Sequence, residues 1–292
     1  MSPALSAVDL GHGLTAASHL LTGSGSWLAL GVSGLVVGVL VGLTGAGGSS
    51  VLTPLLILIF GLPGISAVGT DLVASLVMKP VGGLVHLHHR TVRMDIVAWI
   101  ALGSVPGAVI GVVLIKLAGK PADPVLLPLL GAALLATALA MALRPRLRAR
   151  AQRRAQGEWA RSGGATEDIT KRAVRPLPTL AVGLFGGILV GLTSVGSGSL
   201  MVVGLTMLYP ELTMAELIGT DLVQAVPMVG AAALGHLITG DVHLGVAGAL
   251  LIGAIPGTFL GAKLSSRSNG RLARGALLAV LVGTGVRLMW AL

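Results

Sequence analysis

Asp71, Ser75 and Lys79 follow one another at i, i+4 and i+8, a spacing that stacks three polar side chains on one face of a helix. The residues around them are apolar, and an ionisable group inside such a run is costly and marks function by default. Lys79 lies well inside its run, where no helix end needs it, so its chemistry is to counter a substrate anion or to pair with an aspartate. A second set, Asp221, Gln224 and Met228, leads toward His236 as the first leads toward His86. Asp71 and Asp221 each follow Gly-Thr near the start of a run, so helix capping competes with a coupling role for both. His86 and His236 titrate near neutral pH and are candidates for passing protons. The cluster His86, His88 and His89 falls short of a metal site. His86 and His89 lie one turn apart while His88 points elsewhere, and no acidic or cysteine ligand accompanies them. The chain has no cysteine, which also excludes a disulfide framework and thiol catalysis.

A second kind of chemistry is written in glycine and hydroxyl. The stretch Gly38-Val39-Leu40-Val41-Gly42-Leu43-Thr44-Gly45-Ala46-Gly47-Gly48-Ser49-Ser50 returns downstream as Gly187-Ile188-Leu189-Val190-Gly191-Leu192-Thr193-Ser194-Val195-Gly196-Ser197-Gly198-Ser199. A glycine-rich turn exposes backbone N–H groups, and a helix beginning just after it adds its positive dipole end. Together these make an anion site, with hydroxyls as uncharged donors. The candidate substrate-binding residues are Thr44, Gly45, Gly47, Gly48, Ser49, Ser50, Lys79, Thr193, Ser194, Ser197, Ser199 and Gln224. The candidate coupling and gating residues are Asp71, Asp221, His86 and His236. No metal and no cofactor is expected. Neither glycine-rich stretch continues into the Gly-Lys-Ser or Gly-Lys-Thr of a phosphate-binding loop, so energy must come from an ion or substrate gradient or from a separate subunit.

The elements that hold these residues are membrane helices. The chain is 54% hydrophobic and 11% charged with a mean hydropathy of +0.92, far from the balance of a water-soluble domain. A bilayer core needs roughly 20 apolar residues per helical span, and runs of that kind recur between short polar joints. Strands of a barrel would alternate in short segments instead. Each half supplies five runs, and Gly69-Thr70-Asp71, His86-Leu87 and Pro106-Gly107 match Gly219-Thr220-Asp221, His236-Leu237 and Pro256-Gly257 at a constant offset. The expected fold is all-α and integral to the membrane, with two inverted repeats of about five transmembrane or re-entrant helices each. The expected units are a lead-in over 1–26, a first membrane repeat over 27–143, a basic linker over 144–176 and a second repeat over 177–292. The lead-in lacks the basic flank of a secretory signal peptide.

The second run of each half, Ser49 to Leu62 and Ser197 to Leu208, is too short for comfortable spanning and fits re-entrant or broken helices. Gly103, Gly107 and Gly111, repeated as Gly253, Gly257 and Gly261, form a flat stripe that lets helices approach closely; packing is its expected role. The formal charge is +9, and ten of the twenty Lys and Arg residues lie between Arg144 and Arg175. That distribution reads as positive-inside topology rather than as a nucleic-acid surface. The linker, the joint from His86 to Arg93 and the joint from Lys263 to Arg274 then share the cytoplasmic side, with both termini outside. Lys116 and Lys120 fall outside as a mild exception. Ten full spans and a model in which the first two runs of each half form an in-and-out hairpin have the same parity, so both stay open.

The duplicated break, the short apolar run with Pro54, the paired Gly-Thr-Asp and the paired Pro-Gly resemble the sulfite exporter TauE/SafE family of bacterial membrane transporters. The resemblance covers nearly the whole chain. It implies transport of a small sulfur-containing anion, such as sulfite, thiosulfate or an organosulfonate like sulfoacetate, across the bacterial cytoplasmic membrane. The expected function is therefore a multi-pass secondary transporter of the inner membrane working by alternating access, not an enzyme. Its expected partners are a small anion, the lipid bilayer and a proton or sodium gradient, with homo-oligomers allowed and nucleic acid excluded. Other readings are a permease for another small anion or for a divalent metal, and a membrane scaffold or assembly protein acting through its basic linker.

Overall fold

The structure, a computed structural model, describes residues 24–44, 49–117, 123–161, 174–265 and 271–290. These residues are all-helical. They form α1 (Ser24–Thr44), α2 (Ser49–Leu58), α3 (Gly64–His88), α4 (Met94–Leu117), α5 (Asp123–Arg161), α6 (Pro176–Thr193), α7 (Ser199–Leu208), α8 (Met214–Ile238), α9 (Leu244–Ser265) and α10 (Arg271–Met289). Stretches of α3, α4, α5, α6, α8 and α9 are long and apolar enough to cross a membrane. Residues 1–23 of the lead-in lie outside the described residues, as do Gly45, Gly47 and Gly48 and the side chain of Thr44, while 24–26 already belong to α1.

The helix contacts are reciprocal. α3 and α8 pack antiparallel, because a Cβ added at Gly69 near the start of α3 would lie 3.1 Å from His236 Cβ near the end of α8. The converse pair holds too: a Cβ at Gly219 would lie 3.0 Å from His86 Cβ. Backbone follows the same rule, with Arg93 N–H donating to Thr220 Oγ1 and His243 N–H donating to Thr70 Oγ1, each at 3.1 Å. The Gly-Thr of each Gly-Thr-Asp therefore seats the joint that follows the partner helix's counterpart. This is a tertiary use of threonine that the capping reading does not contain.

The glycine stripes behave as packing surfaces. α1 runs parallel to α9 and α4 runs parallel to α6, in contact along most of their lengths. A Cβ at Gly34, Gly103, Gly187 or Gly253 would run into the backbone at Leu250 O, Leu180 O, Ser104 O or Gly31 O respectively. Without side chains between them the backbones approach to van der Waals contact, which substitutes for the missing hydrophobic drive between helices in lipid. Both helices run through their prolines, Pro106 and Pro256.

In the second half the two ends of the first helix pair meet. Tyr209, just past α7, accepts from Arg175 N–H at 3.0 Å and shares a 2.5 Å hydrogen bond with Thr179 at the start of α6. α6 and α7 thus form a hairpin whose two ends meet, turning at Ser194–Gly198. In the first half α1 starts beside the turn into α9, where Trp27 and Leu30 line a cavity of about 330 Å³ with Val242 to Val246. α2 then leads within a few residues to the start of α3, whose Thr70 contacts that same turn.

One end of the bundle gathers two of the basic joints, the linker and the joint from His86 to Arg93. Arg148 Nη2 donates to Leu212 O at 3.3 Å, next to Tyr209 and Arg175, and the His86–Arg93 joint meets Gly219 there. α5 does not stop at Leu143. It continues to Arg161, so the first part of the linker is a helical extension of the fifth run.

Candidate functional site

Local rules place the polar side chains. Ser49 and Thr53 stand at i and i+4 on α2 and present one face to α3. Asp71, Ser75 and Lys79 stand at i, i+4 and i+8 on the face of α3 that meets them. The third wall is the turn between α6 and α7, where Gly196 and Gly198 take φ of 112° and Ser194 takes φ of 57°. A left-handed residue other than glycine costs roughly 1–2 kcal/mol, and the first copy of the break has Gly45 at this position. Serine is retained at Ser194 because its hydroxyl has work that glycine cannot do.

Ser194 Oγ donates to Asp71 Oδ2 at 2.6 Å, Thr53 Oγ1 donates to the same oxygen at 2.6 Å, and the two hydroxyls lie 2.6 Å from each other. Ser75 Oγ donates to Asp71 Oδ1 at 3.3 Å and sits 2.9 Å from Ser49 Oγ. Two turns along α3, Lys79 Nζ donates to Ser197 Oγ at 2.5 Å. Lys79 is only 7% exposed. It feels the charges of both Asp71 and Asp221 while its recorded hydrogen bond goes to the serine. On α8, Gln224 Nε2 donates to Asp221 Oδ1 at 3.0 Å and Gln224 Oε1 accepts from Ser104 at 3.1 Å. Asp221 in turn feels Lys79 and Arg144 of α5.

The start of α7 adds donors. Met201 and Val202 N–H return to Gly196 O and Gly198 O. The N–H groups of Ser199 and Leu200 meet no acceptor among the described residues, as the opening of a helix leaves them. A buried ammonium, a serine hydroxyl and a helix N-terminus therefore converge on one point in a water-excluded interior, which can bind a small anion.

Of the residues expected from sequence, Ser49, Asp71, Lys79, Ser194, Ser197, Asp221 and Gln224 come together on this line. Ser50 and Ser199 are buried at the starts of α2 and α7. Thr193 is committed to its own turn, donating to Leu189 O at 2.7 Å and accepting from Val195 N–H at 3.2 Å. His86 and His236 pack on Gly219 and Gly69, two residues before Asp221 and Asp71, but their hydrogen bonds go elsewhere. His86 is fifteen residues from Asp71 on α3, roughly 22 Å along a helix axis, and its Nδ1 pairs with Thr91 Oγ1 at 2.8 Å. His236 is buried against Gly69 with Nε2 3.3 Å from Gly191 O, and its Nδ1 meets no partner among the described residues. His88 and His89 are exposed, their rings edge to face at 5.6 Å. Sequence reasoning misses Thr53 and Ser104. Thr53 was findable as the i+4 partner of Ser49, and Ser104 as the polar departure from Ala254 at the matching position of the second half.

A family profile described as "Sulfite exporter TauE/SafE" matches residues 30–288. Among curated proteins, the "Probable membrane transporter protein YjnA" of Bacillus subtilis (strain 168) is 34% identical over 256 residues, covering 88% of this chain and 97% of the relative. No solved structure matches significantly. The chain is a membrane transporter, set in a lipid bilayer and acting on a small substrate, and it belongs to the sulfite exporter TauE/SafE family.

Proposed function

We propose that this transporter is a secondary carrier of a small sulfur-containing anion, working by alternating access between two inverted repeats. The observation that carries the reading is the hydrogen bond of 2.5 Å from buried Lys79 Nζ to Ser197 Oγ at the mouth of α7. It puts the site's ammonium where a helix start and a glycine turn already favour negative charge. The substrate class comes from the family description and from the charge of the site, which suits sulfite, thiosulfate or an organosulfonate. An anion there would take the place of Ser197 on Lys79 and draw on Ser199 and the α7 N–H groups, with Gln224 and Ser104 on the opposite wall.

Alternating access is supported by the antiparallel, reciprocal packing of α3 on α8. Matching helices that run oppositely through one bilayer are related by an axis in the membrane plane, and carriers of this kind build their site where such halves meet at broken helices. The gathering of two of the basic joints at one end of the bundle supports a cytoplasmic linker and an inner-membrane location. Asp71 and Asp221 are the coupling groups, each buried beside Lys79, with the proton and sodium gradients as the drivers to be distinguished.

The test is uptake of labelled sulfite and sulfoacetate into proteoliposomes with and without a pH gradient. Saturable uptake of a sulfur anion that responds to the gradient is the expected result. Movement of another solute while every sulfur anion stays out overturns the substrate assignment.

A further inference from the structure

We propose that Asp71 is the site of the coupling proton: its Oδ2 carries the hydrogen that closes a three-membered ring with Thr53 and Ser194, and loss of that hydrogen frees the α6–α7 turn from α3. The proposal rests on the reading of the chain as a gradient-driven anion carrier and names the ion that reading leaves open.

The argument is a count of hydrogens. Asp71 Oδ2, Thr53 Oγ1 and Ser194 Oγ are mutually 2.6 Å apart, so three short oxygen–oxygen contacts need three hydrogens. Serine and threonine hydroxyls supply one each. With Asp71 ionised, one edge holds two oxygens at hydrogen-bond distance with nothing between them, and that edge is repulsive. A hydrogen on Oδ2 fills it, each oxygen then donating to the next around the ring. Hydrogens from the other side do not help, because the Ser49–Ser75 pair ends on Oδ1. A sodium-sized or calcium-sized cation does not fit the same triangle. Oxygens held about 2.4 Å from such an ion stand roughly 3.4 Å apart at right angles, well beyond the 2.6 Å edges seen here.

The three members come from three elements, α2, α3 and the turn after α6, and the ring ties α2 and the α6–α7 turn to α3. On release the Asp71 O–H bond breaks with its electron pair left on Oδ2, and water takes the proton. Two hydroxyls cannot then hold all three edges, so Ser194 or Thr53 must withdraw. Ser197 lies three residues beyond Ser194, so withdrawal of the turn also takes Ser197 off Lys79 and alters the anion site. The second half has no such ring. Gly45, Ala225 and Val202 stand where Ser194, Ser75 and Thr53 have counterparts, and Asp221 is held by Gln224 instead.

The charged and titratable groups around Asp71 leave the count unchanged. α2 and the α6–α7 turn bring none. Lys79, on α3 itself, donates to Ser197. α8 brings Asp221 and His236, the latter turned to Gly191 O. The turn before α9 brings Asp241, which accepts from Thr239, and His243, which meets Thr70 through its backbone. α5 brings Arg144, whose charge acts on Asp221.

The experiment is infrared difference spectroscopy of the full chain in lipid vesicles, stepping from acid to alkaline pH. Expected is a carboxylic-acid C=O band that disappears on alkalinisation, is absent in Asp71→Asn and survives in Asp221→Asn. Asparagine brings its own N–H to the ring and keeps the fold. Should it fail to fold, Ser194→Ala carries the test, because losing one ring partner must shift the band. Replacing choline chloride by sodium chloride at fixed pH must leave the band in place. A band lost in Asp221→Asn but not in Asp71→Asn, no band at any pH, or a band removed by sodium overturns the proposal. None of these readings needs a substrate, so a failure to move any sulfur anion bears on the carrier reading and leaves the proton site standing.

Discussion

Replacing Lys79 by glutamine keeps a donor for Ser197 and removes the charge. Two magnitudes bracket the expected effect on an anion. Trading a charge-assisted hydrogen bond for a neutral one forfeits about 1.5 kcal/mol. Losing a unit countercharge about 4 Å away at an effective dielectric constant near 20 forfeits about 4 kcal/mol. At 1.4 kcal/mol per factor of ten, half-saturation should rise between about tenfold and about a thousandfold. The variant also leaves Asp71 and Asp221 without the cation whose charge they feel, and an uncompensated buried carboxylate is itself destabilising. Lys79→Gln combined with Asp221→Asn removes that complication at Asp221, and a further loss relative to Asp221→Asn alone belongs to the substrate. The assay is concentration-dependent uptake into proteoliposomes, with thermal stability in detergent as the check on folding. Half-saturation within twofold of the parent in a folded Lys79→Gln variant would refute the assignment of Lys79 as the anion's countercharge.

Gly107→Ala and Gly257→Ala aim a methyl group at the facing backbones, Leu184 O and Leu35 O. Each should destabilise by about 1–3 kcal/mol through overpacking, whereas Gly248→Ala, with nothing within 4 Å of its Cβ, should be neutral or better by up to about 1 kcal/mol of helix propensity. Thermal midpoints in one detergent decide between them. Tyr209→Phe loses the hydroxyl that joins the two ends of the α6–α7 hairpin and should cost about 1–2 kcal/mol, read as a lower midpoint and faster hydrogen exchange at the start of α6. Moving the cation to the other half, as Lys79→Val with Val229→Lys, should not restore transport, because the residue matching Ser197 in the first break is Gly48.

The parts of the fold written in residue type and period were legible in the sequence. Apolar runs and glycine spacing identified the helices, the stripes and the duplication, because a bilayer allows few alternatives to a hydrogen-bonded helix. The i, i+4, i+8 spacing gathered Asp71, Ser75 and Lys79 before any coordinates. Parity does not separate full spans from hairpins, since both return the chain to the same side, and the meeting of Tyr209 with Thr179 suits either. Thr53 is missed because its one signal, the i+4 spacing from Ser49, lies in a run read only for its length. The aspartates of the two Gly-Thr-Asp triplets read as candidate caps, the threonines carried no assignment, and only the tertiary pairing reveals that the threonines bind the joints of opposite helices.

The contacts of the backbone are nearly two-fold, but the chemistry is not. Gly69 against His236 and Gly219 against His86 are the same contact made twice, as are the two threonine–joint hydrogen bonds. Against that scaffold Lys79 faces Val229 at the matching position, Ser194 faces Gly45, Ser75 faces Ala225, and Ser104 faces Ala254. Every one of these departures falls on the line from Asp71 to Gln224. The repeated contacts tie the same segments together twice, α3 to the joint after α8 and α8 to the joint after α3. The departures make the two halves chemically unequal: an ammonium stands at Lys79 and an apolar side chain at the matching Val229. The duplicated glycines and Gly-Thr-Asp triplets stand in both halves of the sequence, whereas Lys79, the one buried lysine among the described residues, and Ser75, Ser104 and Ser194 have no polar side chain at the matching position.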